Sequence, residues 1–172
     1  VHPHLTMTLS FQRANELLRY CPETGTLRWR VGFRNAVRAG DEAGVVHPDG
    51  YRVIRIQRRG YAAHRVAWLL SYGCWPESQV DHINGLRSDN RLVNLRAATA
   101  SENSQNMRGP MKSNRTSKFL GVSWKKREQR WCAQIQVAGK RRHLGLFADE
   151  DAASRAYLAA KRELHPYQTL VA

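Results

Sequence analysis

The apolar positions change period several times along the chain, and each change marks an element. Leu9, Phe11, Ala14, Leu17 and Leu18 fall on one helix face over about 10–20, with Ser10 as the N-cap. Pro22-Glu23-Thr24-Gly25 reads as a turn, residues 26–31 as a strand, and residues 32–42, rich in Gly, Asn and Arg, as a loop. Short apolar runs at 43–47, 51–57 and 61–64 predict strands, joined by turns at Pro48-Asp49-Gly50 and Arg58-Arg59-Gly60. Residues 64–72 predict a helix with Val66, Ala67, Leu69 and Leu70 on its apolar face and Gly73 as its stop. Trp68 and Trp75 read as packing residues, His64 at the helix start as structural, and Arg65 as one of many possible phosphate contacts.

Residues 80–83 predict a short strand, 84–94 a polar, turn-rich loop, and 95–98 a second strand. Thr99 and Glu102 then fit a capping box, in which each side chain satisfies the other's free backbone donor. That puts Asn103 in the first turn of a helix running to about Met107, where it can face the strand carrying Asp81. Residues 107–118 show no apolar period and read as a linker. Fully extended, such a stretch reaches roughly 40 Å at about 3.3 Å per residue, about one turn of DNA at roughly 34–36 Å.

From Phe119 the period settles at two: residues 119–125, 131–137 and 141–147 predict three strands. Asp149, Glu150 and Asp151 open a final helix with acids in its first turn, which suits the helix dipole. Its alanines, Ala152, Ala153, Ala156, Ala159 and Ala160, let it lie close on a three-stranded sheet. The fold class is therefore α+β, in two modules.

Charge sharpens this division. The chain carries 28 Lys+Arg against 14 Asp+Glu, a net +14, which points to a polyanionic partner and first of all to nucleic acid. Residues 107–148 hold 11 of the basic residues and one acid, Glu128, while residues 1–106 hold 14 basic and 9 acidic residues. About a quarter of the length thus carries +10. Cys21, Cys74 and Cys132 are far apart, so neither a thiolate zinc site nor a disulfide framework is indicated and a reducing cytoplasm is the simple inference. No apolar run approaches membrane-spanning length. Met7 reads as a natural start, with His2 and His4 as tail residues.

Candidate chemistry concentrates at Asp81-His82. Phosphodiester hydrolysis needs an activated water, charge stabilisation at phosphate, and help for the leaving oxygen. A histidine titrates near neutrality and suits the first task. A carboxylate can hold a hard divalent cation and an amide oxygen can add a neutral ligand. Neighbours on a strand point to opposite faces, so Asp81 and His82 share one site only if the strand end bends or water and phosphate lie between them. Asn84, Asn90 and Asn94 also fit as turn residues only.

Asp81-His82-Ile83-Asn84-Gly85, Asp89-Asn90-Arg91, Asn94-Leu95-Arg96 and Ser101-Glu102-Asn103, with Tyr61-Ala62-Ala63-His64-Arg65-Val66-Ala67-Trp68 upstream, resemble the HNH endonucleases, and among them the phage and intron homing enzymes. The resemblance covers roughly residues 20–107 and implies a ββα-metal module around one divalent cation, Mg²⁺ or Mn²⁺ rather than Zn²⁺. It implies His82 as general base, Asp81 as metal ligand, Asn94 as the brace that orients His82, and Asn103 as the second metal ligand. Many relatives carry histidine at the last position, so this chain would read His-Asn-Asn.

Phe119-Leu120-Gly121-Val122-Ser123-Trp124, Arg130-Trp131-Cys132-Ala133-Gln134-Ile135, His143-Leu144-Gly145-Leu146-Phe147 and residues 151–157 resemble the AP2 DNA-binding domain. That implies a three-stranded antiparallel sheet, packed on one helix and entering the major groove. The matching contact positions are Ser123, Lys125, Gln134, Gln136, Arg141 and His143, with Lys126, Arg127, Arg130, Lys140 and Arg142 suited to phosphates.

The expected organisation is an HNH nuclease domain over 7–107, a basic linker over 108–117 and an AP2-like domain over 118–166. The expected activity is cleavage of double-stranded DNA by a cytoplasmic, monomeric protein in a bacterial host or phage-infected cell. The competing reading is a non-catalytic DNA-binding regulator with a degenerate HNH fold, and a third is an RNA-binding module.

Overall fold

The computed structural model describes residues 9–33, 36–107, 109–110 and 114–167, so His2, His4 and Met7 lie outside it, as do positions 108 and 111–113 of the stretch read as a linker. The contacts divide the chain into two compact units, Val1–Ala97 and Ala98–Ala172.

In the first unit Ser10 caps helix α1 (Phe11–Leu17), its hydroxyl accepting from the Arg13 N–H at 3.2 Å. The helix stops at Leu17, short of the expected end near 20, and the chain turns into strand β1 (Leu18–Cys21). Strand β2 (Thr26–Trp29) pairs with it antiparallel, Leu18 opposite Trp29 and Cys21 opposite Thr26. Two adjacent leucines fit a helix face equally well. The partner strand returning across the Pro22–Gly25 turn decides between the alternatives, and local periodicity does not contain it.

Strands β3 (Val45–Val46), β4 (Arg52–Ile56) and β5 (Arg59–Ala62) form an antiparallel sheet in that order. The β4–β5 turn is Gln57-Arg58, both at positive φ (50° and 66°), as a two-residue hairpin whose twist matches its strands requires. Arg59 and Gly60, expected in the turn, are therefore in β5, and His64, expected to end that strand, belongs to helix α2 (Ala63–Tyr72). Gly73 ends α2 in the left-handed conformation at φ 77°, as the sequence predicts. Ile54 and Ile56 point inward and Arg55 outward. Arg52 bonds the Gly44 carbonyl (2.9 Å) and Glu42 (2.9 Å), so it serves the sheet itself. Leu18, Leu27, Ile54, Val66 and Leu69 make the centre of the core. Trp68 and Trp75 pack against it, and the Trp75 indole N–H reaches the Leu9 carbonyl at 2.8 Å. Strands β6 (Gln79–His82) and β7 (Leu95–Ala98) pair around the polar loop, which ends in a single 3₁₀ turn at Leu92–Asn94.

In the second unit the capping box at helix α3 (Ala100–Gln105) is present. The Thr99 hydroxyl accepts from the Glu102 N–H at 3.2 Å, and the Glu102 carboxylate accepts from the Thr99 N–H at 2.7 Å. Strands β8 (Val122–Lys125), β9 (Arg130–Val137) and β10 (Lys140–Phe147) form an antiparallel sheet with β9 in the middle. Helix α4 (Glu150–Leu164), capped by Asp149, packs on it. The first of these strands starts at Val122 rather than 119 because Gly121 lies at φ 72°, out of extended geometry. The supposed linker is anchored at its C-terminal end. The Asn114 amide donates to the Val122 carbonyl (2.7 Å), the Thr116 hydroxyl accepts from the Trp124 N–H (3.3 Å), and the Ser117 hydroxyl donates to Glu150 (2.7 Å). Short polar side chains that break periodicity here serve as local hydrogen-bonding groups, so less of the stretch is available as a spacer. No described helix is long and apolar enough to cross a membrane.

Gly121 also makes room for the helix: a Cβ there would lie 2.1 Å from the Tyr157 ring and 2.7 Å from the Gln134 carbonyl. Gly121→Ala adds left-handed strain to that clash. The expected cost is about 3 kcal/mol or more, read as a lower urea midpoint by the fluorescence of Trp124 and Trp131; an unchanged midpoint contradicts the packing described here.

Candidate active site

His82 ends β6 and is 3% exposed. Three segments of the first unit surround it. From the polar loop, Asn90 (2% exposed) places its amide oxygen 3.1 Å from His82 Nε2. From the residue just before β4, the Tyr51 ring lies 5.9 Å from the His82 ring. From the first turn of α2, the His64 ring meets His82 edge-on at 5.0 Å and Tyr51 at 5.3 Å. Arg87 stacks over Tyr51 at 4.9 Å and donates to the Asp49 carbonyl at 2.7 Å, which fastens the loop to the turn before β4.

The loop holds its shape through its own polar side chains. Asn94 is the link: its amide oxygen accepts from the Asn84 N–H (2.9 Å) and its amide nitrogen donates to the Asp89 carbonyl (2.8 Å). The Ile83 N–H bonds the Asn94 carbonyl at 2.8 Å, so residue 94 closes both ends of the loop onto the end of β6. Asp89 accepts from the Asn84 amide (2.7 Å) and, through both oxygens, from Arg91 (2.8 and 2.7 Å). The Arg91 bonds hold its carboxyl down at about 2. Asn84 and Asn94, which also fit as turn residues, thus act as structural ties within one network.

Asp81 faces a different neighbour. Its Oδ2 takes two bonds from Arg96 on β7, at 3.0 and 2.8 Å, and the pair is largely buried, with the Asp81 side chain 8% exposed. Among the described residues no group of three or more His, Cys, Asp or Glu could hold a metal. The donor types expected from the sequence, a carboxylate and amide oxygens, are those a hard cation that keeps most of its waters accepts. Asn103 is in the first turn of α3, in the second unit.

Burial sets the protonation of the two imidazoles. His64 is pushed down to about 4, first by burial and then by His82 and Arg65. Burial also lowers His82, while the bond to Asn90 and the charges of Asp81 and Asp89 oppose that shift. Nδ1 of His64 is buried and has no hydrogen-bond partner among the described residues. Arg65 bonds the Ser78 and Pro76 carbonyls at 3.2 and 3.4 Å and lies over Trp75, so it is a structural residue here. The sequence did not single out Tyr51 or the contact of Asn90 with His82; His64, read as structural, is a packing neighbour of both rings.

Residues 61–105 match the HNH endonuclease family. The likeness is confined to this segment. A stretch of 78 residues is 40% identical to Protein 3.8 of Escherichia phage T7, covering 45% of this chain and 63% of that protein. No solved structure matches the chain. The HNH segment contains His64, His82, Asn90 and Asn94, whereas Tyr51 and the β1–β2 hairpin precede it.

The predicted DNA contacts of the second unit lie on its sheet. Pairing puts His143 opposite Gln134, Arg141 opposite Gln136, and Lys125 opposite Arg130. With Ser123, these alternate onto one face. Lys126 lies in the β8–β9 turn. Cys132, which the sequence reading passed over, is buried in that face, 3.2 Å from the Gln134 amide nitrogen and 3.5 Å from His143 Nδ1.

The lowered pKa of His64 has a thermodynamic consequence. The unfolded chain takes up a proton near 6.5 and the folded one near 4, so stability is complete above pH 6.5 and is lost as pH falls toward 4. The expected loss is of the order of 3 kcal/mol. NMR titration should place the His64 midpoint near 4, and His64→Phe should flatten the urea-stability profile between pH 6.5 and 4. A midpoint near 6.5 contradicts the burial described.

Proposed function

We propose that the protein is a divalent-metal-dependent DNA endonuclease with a cutting module over 7–107 and a holding module over 118–166. The observation that carries this is the buried His82, fixed by Asn90, Tyr51 and His64 beside the Asn94-tied loop, within the segment that matches the HNH endonucleases. His82 takes a proton from water as the water oxygen attacks phosphorus and the bond to the 3′ oxygen breaks. Asn94 keeps the loop in the shape that presents His82. Asp81 is the carboxylate ligand for Mg²⁺ or Mn²⁺; Asn103 is assigned as its amide ligand on the residue order of the motif alone. When bound, the cation supplies charge stabilisation at the phosphate and leaving oxygen. A phage-type or homing role suits the likeness to the phage T7 protein.

The holding module is AP2-like in this reading. Gln134 and Gln136 suit adenine edges and Arg141 guanine, with Ser123 and His143 beside them and Lys125, Lys126 and Arg130 set against phosphates. The amide nitrogen of Gln134 already donates to Cys132, so its contribution to DNA begins with the loss of that bond.

One observation favours a non-catalytic DNA-binding regulator instead: Arg96 neutralises the carboxylate assigned to the cation. Supercoiled plasmid with Mg²⁺, with and without chelator, separates the two. The expected outcome is chelator-sensitive nicking that falls at least about 100-fold in His82→Ala, with DNA affinity within about threefold. Nicking by His82→Ala at the parent rate removes His82 from its role. For the sheet, Arg141→Ala and Lys125→Ala should each weaken DNA binding. The Lys125 effect should be uniform across sequences and lower the salt slope by about one.

A further inference from the structure

Asn90 lies eight residues beyond His82 and meets its ring at Nε2. We propose that it is a positioning residue for His82, setting the tautomer and aim of the ring, and that the β1–β2 hairpin holds Asn90 in place. The inference rests on the reading of His82 as general base.

An amide oxygen only accepts hydrogen bonds. With Asn90 Oδ1 at 3.1 Å from Nε2, the proton of the neutral ring is on Nε2 and the basic lone pair is on Nδ1. The ring contacts of His64 and Tyr51 at 5.0 and 5.9 Å limit rotation about the remaining torsion. One buried bond therefore selects the nitrogen that can take a proton from water. Asn94 has a different task, since its two side-chain bonds go to Asn84 and Asp89 and shape the loop.

Asn90 is itself tied to a remote element. The Tyr20 hydroxyl of β1 donates to the Asn90 carbonyl at 2.7 Å, and the Leu92 N–H donates to the Pro22 carbonyl at 3.1 Å. At the tip of the hairpin, Gly25 approaches so closely that a Cβ would lie 2.4 Å from the Arg91 nitrogen and 2.6 Å from the Asn90 carbonyl carbon. Three contacts within three residues of loop leave Asn90 little freedom to move away from the ring.

The test is ¹⁵N NMR of the imidazoles in the full chain, with His82 assigned through His82→Gln, beside plasmid nicking. The parent should show His82 as the Nε2–H tautomer. Asn90→Leu should lose that preference and drop kcat about 100-fold with KM within about twofold. Asn90→Asp, which keeps the acceptor, should hold the tautomer and stay within about tenfold of the parent. Should Asn90→Leu fail to fold, Asn90→Ala carries the same expectation. A parent His82 in the Nδ1–H form, or unchanged tautomer and rate in Asn90→Leu or Asn90→Ala, overturns the proposal. A parent that shows the Nε2–H tautomer, lost on substitution, but does not nick DNA overturns the reading of His82 as base and supports the hold of Asn90 on the ring.

Discussion

The first unit depends on the double tie that Asn94 makes across the polar loop. A stretch of eleven mostly polar residues between two paired strands has many backbone donors and acceptors and few apolar groups to bury. Without internal partners it would sample many shapes, and His82 beside it would share that freedom. The Asn94 side chain, at 5% exposure, binds both the Asn84 N–H and the Asp89 carbonyl, and its backbone carbonyl holds Ile83. Desolvated amide bonds of this kind are costly to break, because each leaves a buried polar group unsatisfied, at about 1–3 kcal/mol apiece. Asp89, Arg91 and Arg87 then add charge-assisted and stacking contacts on a frame that is already closed.

What could be read from the sequence was local. Helix α2, its Gly73 stop, the Thr99–Glu102 box and the Ser10 cap are all set by neighbours within a turn or two, and all are found where the residues predict them. The α+β class followed from the same periodicities. The misses share a different cause. Leu18–Cys21 becomes a strand through pairing with Thr26–Trp29, and Gln57-Arg58 takes the turn because the β4–β5 register demands it. Neither constraint is visible in the residues that obey it.

The site shows the same division. Asp81, His82 and Asn94 were singled out within the motif; His64 and Asn90 lie in the same motif stretches, but their contacts with His82, like that of Tyr51, are tertiary. His64 looked like an ordinary helix-start residue. Its ring packs against His82, and its buried Nδ1 has no hydrogen-bond partner among the described residues. In the second unit, Gln134 and Gln136 alternate along β9 with the buried Ala133 and Ile135. Cys132 sits between the polar positions of that face and withdraws the Gln134 amide and the His143 ring toward the protein.

The contact between the Tyr20 hydroxyl and the Asn90 carbonyl joins residues 70 positions apart, and the segment that matches the HNH endonucleases begins only at residue 61. Closing so long a loop is among the slower events of folding, since chain entropy is lost before the contact rewards it. The nuclease-like segment is thus not a transplantable cassette. The loop beside the histidine is braced from outside the matched segment, by a hairpin that precedes it in the chain.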